Sequence, residues 1–162
     1  MHSFVYPAKL TPDPTDGGFV VTFVDFPEAI TQGEEVAEAL HEAADCLEEA
    51  VANRMAMDMP LPKASRVKKG HYAIPLPALT AAKAALYLAV RGACITQVEL
   101  AKRLQCDEKE VRRLLDVRHP SKLAHLEVAL AALGQQLIVG VQGAIKSSPW
   151  SERAGRKAEN IR

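Results

Sequence analysis

Residues 96–115 read Thr96-Gln97-Val98-Glu99-Leu100-Ala101-Lys102-Arg103-Leu104-Gln105-Cys106-Asp107-Glu108-Lys109-Glu110-Val111-Arg112-Arg113-Leu114-Leu115, and this stretch decides how the second half of the 162-residue chain folds. Thr96 opens one helix that runs to about Leu104. Asp107 opens the next, with Glu110 three residues on in capping-box spacing. Two helices a few residues apart are what a helix-turn-helix requires. Leu100, Ala101 and Leu104 form the inner face of the first helix, and the small Ala101 suits a close crossing. Val111 and Leu114 pack back from the second. In the turn, Gln105 stands where such motifs usually place glycine; a side chain at positive φ costs on the order of 1 kcal/mol there.

The second helix turns Glu108, Lys109, Arg112 and Arg113 outward. The N-terminal part of such a helix enters the major groove of DNA, where Arg pairs with guanine through two hydrogen bonds and Lys meets phosphate as a point charge. Thr96 and Gln97, at the opening of the preceding helix, join this DNA-facing set, and Arg118, His119, Ser121 and Lys122 are placed to hold the backbone beside the groove. Taken singly, each of these residues fits a solvated surface, with Glu108 and Glu110 as partners. Together with the Leu-Ala-Leu/Val-Leu spacing they point to DNA. One such domain reads a short half-site, so a dimer or tetramer on a palindrome is expected.

Outward from this pair, residues 79–90 form an alanine-rich helix with Leu79, Ala82, Leu86 and Ala89 on one face and Gly92 as its stop. A further helix starts at Ser121, with Leu123, Leu126, Leu130 and Leu133 inward and Gly134 at its end. Residues 137–141 (Leu-Ile-Val-Gly-Val) read as a short strand whose apolar edge offers self-pairing. The expected all-α unit therefore spans 78–145, and the polar tail 146–162 is expected to be disordered.

The first half has a different pattern. Residues 3–11 and 19–26 alternate as strands around a turn dense in Pro, Asp and Gly at 12–18. Pro7 argues for an edge or a bulge in the first strand, because proline cannot donate to a ladder. Both faces of the second strand are apolar, which predicts a central strand covered on both sides. A third strand falls around 29–32. The helix over 34–57 carries Val36, Leu40, Ala43, Leu47 and Val51 at three- and four-residue spacing, with carboxylates opposite. Segment 59–77 reads as a linker with a possible extra strand at 71–76. The fold class is α+β: a small antiparallel sheet with one long helix in 1–58, followed by the helical unit.

A composition of 48% hydrophobic and 25% charged residues supports packed cores, and only 5% aromatics argues against stacking-based recognition of single-stranded nucleic acid. The zero net charge conceals two opposed halves. Residues 1–58 hold two basic and twelve acidic side chains, −10; the remainder holds eighteen and eight, +10. Such asymmetry suggests two different partners. Three cysteines without a CxxC pair and five scattered histidines without HExxH spacing give no metal site and no cofactor, and fit a reducing cytoplasm. The N-terminus lacks a basic-then-apolar signal pattern, and no apolar run approaches the ~18 residues that span a bilayer, so no membrane is expected.

Several segments together resemble the HicB antitoxin family of toxin–antitoxin systems. They are Tyr6-Pro7-Ala8, Gly17-Gly18-Phe19-Val20-Val21-Thr22-Phe23-Val24-Asp25-Phe26-Pro27, Ile30-Thr31-Gln32-Gly33, Glu38-Ala39-Leu40 and Pro60-Leu61-Pro62-Lys63-Ala64-Ser65. Arg113-Leu114-Leu115-Asp116, Arg118-His119-Pro120-Ser121-Lys122-Leu123 and Ala129-Leu130-Ala131-Ala132-Leu133-Gly134 look like the repressor-type C-terminal domain of many members. The resemblance implies a partial RNase H-like sheet without catalysis that binds and blocks HicA, a small basic mRNA-cleaving toxin. It also implies a C-terminal domain that represses the operon by binding double-stranded operator DNA. The toxin surface expected on this reading is the apolar-acidic edge Asp25, Phe26, Pro27, Glu28 and Ile30, plus the outer helix face with Glu42 and Glu49. Two other functions compete. A nuclease needs carboxylates converging on metal ions, and Asp25 has no obvious companions. A stand-alone transcription regulator would use the first half to sense a ligand or partner.

Overall fold

The structure is a computed structural model that describes residues 2–141. The tail 146–162, expected to be disordered, lies outside the described residues. The elements are β1 (Val5–Pro12), β2 (Phe19–Phe23), β3 (Ile30–Gly33), α1 (Val36–Ala56), β4 (Tyr72–Pro75), α2 (Ala78–Gly92), α3 (Gln97–Leu104), α4 (Glu108–Leu115) and α5 (Leu123–Ala131). The fold is α+β, a four-stranded antiparallel sheet with one long helix and then four shorter helices.

The sheet order is β3-β2-β1-β4, with every neighbour antiparallel. β1 is therefore internal, not at an edge as Pro7 suggested. The register explains the tolerance: Ala8 pairs with Phe23, the last residue of β2, so Pro7 lies opposite Val24, where that ladder has ended. The Pro7 carbonyl still accepts from the Val24 amide at 3.2 Å. Only the reciprocal bond, from the absent Pro7 N–H to the Val24 carbonyl, is lost, and it falls just past the last paired rung.

α1 covers one face of the sheet. Tyr6, Ala8, Val21, Phe23 and Ile74 meet Leu40, Ala43, Leu47 and Val51, the helix stripe read from the sequence. Gly33 at the end of β3 is the closest approach: a Cβ there would fall 2.5 Å from the Ala39 amide nitrogen. The other face of the sheet buries Pro7 but is open along β2 and β3, contrary to the expectation for β2. Thr22 is exposed, as are Val24 (51%) and Ile30 (60%). The chain has one long helix to lay on this sheet, and the remaining helices pack on one another and on α1.

α2 serves both cores. Ala84 and Tyr87 belong to the sheet–α1 core, while Ala82, Leu86 and Val90 join Leu100, Val111, Leu114, Leu126 and Leu130 in the second. Segment 59–77 folds back on the first unit: Leu61 is buried, and the Tyr6 hydroxyl donates to the Pro62 carbonyl at 3.1 Å. Residues 137–141 form no strand; Leu137 packs on the second core, but Ile138, Val139 and Val141 are exposed. A strand needs a ladder partner, and among the described residues none lies beside this segment. Leu123, read as inward, is exposed on the first turn of α5.

α1, α2, α3 and α5 end alike. Asp58, Cys94, Gln105 and Gly134 adopt φ between 52° and 70°: Gln105 is the cap itself, Asp58 and Cys94 lie one residue past theirs and Gly134 two past its own. In each, the following amide bonds back to the carbonyl five residues earlier, as in Cys106 to Ala101 at 3.1 Å. Gly92 is therefore not the stop of α2; it is the last helical residue, and Cys94 holds the left-handed position.

Candidate nucleic-acid and protein interfaces

The α3–α4 pair is built as its sequence demands. Thr96 caps α3, its Oγ1 accepting from the Glu99 amide at 3.1 Å; Asp107 caps α4, its Oδ1 accepting from the Glu110 amide at 2.7 Å. Leu100, Ala101, Val111 and Leu114 are buried between them. Gln105 has φ 53°, so the turn keeps the left-handed residue without glycine.

On α4, Arg112 and Arg113 project outward with side chains 67% and 44% exposed. Arg112 pairs with Glu108 at 3.2 Å and Arg113 with Glu110 at 3.6 Å, one turn away on the same helix. Exposed pairs of this kind are worth at most about 1 kcal/mol, so both guanidinium groups are cheaply released to another anion. Lys109, Gln97 and Lys122 are exposed as well. Ser121 differs from its expected outward role. Its hydroxyl oxygen accepts from Lys83 Nζ at 2.9 Å and faces inward.

On the sequence, Arg118 and Glu49 belong to separate surfaces, one expected to face DNA and one a protein. The structure joins them at 2.7 Å, with Asn53 Oδ1 accepting from the same guanidinium nitrogen at 3.4 Å. Further bonds tie the units together. Thr80 Oγ1 donates to Glu48 at 2.5 Å, and the Tyr87 hydroxyl donates to the Met59 carbonyl at 2.7 Å. Arg91 pairs with Asp58. Beside them, a cleft of about 260 Å³ between α1 and α4 is lined by Met55, Gln97, Arg112, Leu115 and Arg118. The acidic helix thus flanks the basic one.

The expected protein-facing edge is largely committed within the chain. Phe26 is fully buried at 0% exposure, packed edge-on to Tyr6 at 5.0 Å, with the Arg54 guanidinium 4.9 Å from its ring centre. It is a core residue and has no surface to offer a partner. A strand end followed by proline reads the same for a buried and a presented phenylalanine, so the sequence did not separate them. Glu28 takes Arg54 in two hydrogen bonds, 2.5 and 3.0 Å, and that guanidinium holds its carboxyl below the usual carboxylate range. Asp25 accepts from the Ser65 amide at 2.9 Å and hydroxyl at 2.5 Å. Pro27, Ile30, Glu42 and Glu49 keep exposed surface. Sequence reading missed an acidic hollow of about 310 Å³, lined by Asp13, Asp16, Glu34 and Glu38 where the β1–β2 hairpin meets the start of α1. Only the register of the hairpin brings these four together.

Tyr6 carries a pH signature of this core. Burial, then the Asp25 carboxylate, push its phenol up to about 12 from 10.0, against a smaller opposing effect of Arg54. A raised folded value contributes stability that is complete below pH ~10 and is lost as pH climbs through about 12. Burial raises the Tyr87 phenol as well, so absorbance titration at alkaline pH is expected to show two late phenolates, of which Tyr6→Phe removes one. A midpoint near 10 in the folded protein would contradict this burial.

Among the described residues there is no cluster of three or more His, Cys, Asp or Glu able to hold a metal ion, and no single helix is long and apolar enough to cross a membrane.

An acidic sheet-and-helix unit is bonded here to a helical unit that presents exposed arginines, so the chain offers two surfaces of opposite charge. Residues 5–85 match the family described as the HicB-like antitoxin of bacterial toxin–antitoxin systems. Antitoxin HicB of Escherichia coli (strain K12) is 39% identical over 132 residues, 82% of this chain and 95% of that protein. Antitoxin HicB 1 of Photorhabdus laumondii is 34% identical over 85% of this chain and 86% of its own length, and Antitoxin HicB of Pseudomonas fluorescens 31% over 87% and 96%. The chain belongs to the HicB antitoxin family.

Proposed function

We propose that this antitoxin neutralises a HicA-type mRNA-cleaving toxin through its acidic unit and represses its own operon through α3–α4. The observation that carries the reading is the placement of opposite charge on two packed but separate units. Carboxylates crowd α1 and the β1–β2 turn, while Arg112 and Arg113 stand exposed on α4. A −10 surface steers a basic ribonuclease toward itself and competes with the RNA that enzyme would bind. On the toxin side, Ile30, Pro27, Glu42 and Glu49 remain from the expected surface, and the acidic hollow adds to the same field. On the DNA side, α4 enters the major groove, with Thr96, Gln97, Lys109 and Lys122 supporting it.

A second copy completes the DNA reader. Residues 137–141 present Ile138, Val139 and Val141 to solvent beside the second core, and pairing with the same segment of another chain would supply the ladder they lack.

The test is co-expression with the small basic protein encoded beside this gene, followed by pull-down and by a gel shift on the DNA upstream of the pair. Co-purification, relief of toxicity and a shifted duplex are expected. A toxic neighbour that is neither captured nor neutralised would overturn the toxin half. Absence of any shift at low salt would overturn the repressor half.

A further inference from the structure

Lys83 is the one charged side chain among the buried residues described, at 0% exposure in the middle of α2 where the two cores meet. A buried ammonium is costly unless its donors are all satisfied. Here they are. Its Nζ donates to the Asp116 carbonyl at 2.7 Å, to Ser121 Oγ at 2.9 Å and to the Arg113 carbonyl at 3.0 Å. An ammonium has three N–H groups, so the set is full. Two acceptors are carbonyls at the C-terminal end of α4, where the helix dipole favours a positive charge. The third belongs to the segment that leads into α5, and Ser121 also lies 3.5 Å from the Arg113 carbonyl. Burial draws the Lys83 ammonium below its ordinary range, partly offset by the Asp116 carboxylate.

Packing alone does not call for a lysine here. A methionine of similar length would fill the space, but it would take one donor from each of two carbonyls and a hydroxyl, leaving the Asp116 carbonyl with only the His119 amide at 3.1 Å and the Arg113 carbonyl with only the long Ser121 contact at 3.5 Å. What the lysine adds is direction: it fixes where the last turn of α4 and residues 116–121 sit relative to α2. Arg112 and Arg113 lie on that turn; Arg118 and His119 lie in the segment, and Lys122 follows it directly.

We infer that Lys83 is a positioning residue for DNA reading, a buried three-way clamp that sets the orientation of the α4 end and of the segment carrying the phosphate-facing cations. It touches no DNA itself. This rests on the repressor reading above, and its test separates the two.

The readout is the ratio of affinities for the duplex upstream of its own gene and for an unrelated duplex of equal length. Non-specific binding follows total charge and phosphate contact, whereas base reading needs a fixed helix. A loss of folded protein lowers both affinities together and leaves the ratio alone. Lys83→Met, measured well below its melting temperature, is expected to lower the ratio roughly tenfold or more, the value of one misplaced base contact. Lys83→Gln, which keeps an NH2 donor, is expected to fall between. Val90→Ala, in the same helix and the same core, is the control; it loses packing without removing a donor from residues 113–121, and its ratio is expected to stay at the wild-type value. An unchanged ratio in Lys83→Met, or an equal fall in Val90→Ala, would overturn the positioning role. If Lys83→Met does not fold, Lys83→Gln decides by the same ratio. A wild-type protein that binds the upstream duplex no better than the unrelated one overturns the repressor reading, and this inference with it.

Discussion

Gly33→Ala is expected to cost about 3 kcal/mol of stability, the upper end of what overpacking does, and to lower the melting temperature by roughly 6–12 °C. The added Cβ would sit 2.5 Å from the Ala39 amide nitrogen and 2.7 Å from its Cα. Those are backbone atoms in the first turns of α1, so no rotamer change relieves the contact. Either β3 leaves β2 or α1 lifts from the sheet, and both expose Val21 and Leu40, which are now buried. The cost is steric and not conformational, because Gly33 does not occupy the left-handed region that Gly17 and Gly18 do. The effect belongs to the sheet side: α3–α4 keep their own caps and core, so DNA affinity of the remaining folded protein should hold while toxin capture weakens. Thermal denaturation followed by far-UV circular dichroism measures the loss. A shift under about 2 °C would mean that α1 sits further from β3 than the structure has it.

The features legible in the sequence are those carried by local pattern. The α1 stripe, the caps at Thr96 and Asp107 and the small Ala101 at the crossing follow from spacing and residue type alone. What stayed hidden depends on three-dimensional register. Pro7 looks like an edge residue until one sees that β2 ends opposite it. The apolar outer residues of β2 look covered until the helices are seen to lie elsewhere. α2 reads as one stripe because six of its fifteen residues are alanine, and short side chains leave little periodic contrast to show that Ala84 and Tyr87 face a second core. Lys83 falls in that same run, and nothing local separates a buried lysine from a solvated one.

The candidate site follows the same division. The exposed positions of Arg112 and Arg113 come from helical periodicity. The burial of Phe26 against Tyr6, the bonding of Glu28 to Arg54 and the pairing of Glu49 with Arg118 join residues far apart in the chain, which no spacing rule reaches. That last pair also shows why charge segregation by sequence half is incomplete in space: the two units meet through opposite charges. A carboxylate beside Arg118 competes with any phosphate that approaches it, so Glu49 tempers the very surface it borders.

The double variant Arg112→Ala/Arg113→Ala is expected to have the largest effect on DNA. Each guanidinium that reads a base contributes about 1–3 kcal/mol, or roughly 5- to 150-fold in affinity. If both read bases and act independently, the joint loss is roughly 30-fold to 10⁴-fold. The fold should tolerate the change, since both side chains are exposed and their partners Glu108 and Glu110 remain in water. Salt dependence separates the two ways of losing affinity. Removing a phosphate contact flattens the slope of log K against log salt by about 0.9 per contact and weakens all sequences alike, whereas removing a base contact leaves the slope and relaxes sequence preference. Arg112 and Arg113 share the last turn of α4, so the salt slope and the sequence preference, rather than their place on the helix, tell base contact from phosphate contact. A flattened slope in either single variant would assign that guanidinium to phosphate and bring the joint loss below that range. Measured by fluorescence anisotropy across salt, unchanged affinity in the double variant would mean that α4 does not face the DNA. In that event the exposed guanidinium groups serve solubility alone, and the basic character of the second unit must be explained by another surface.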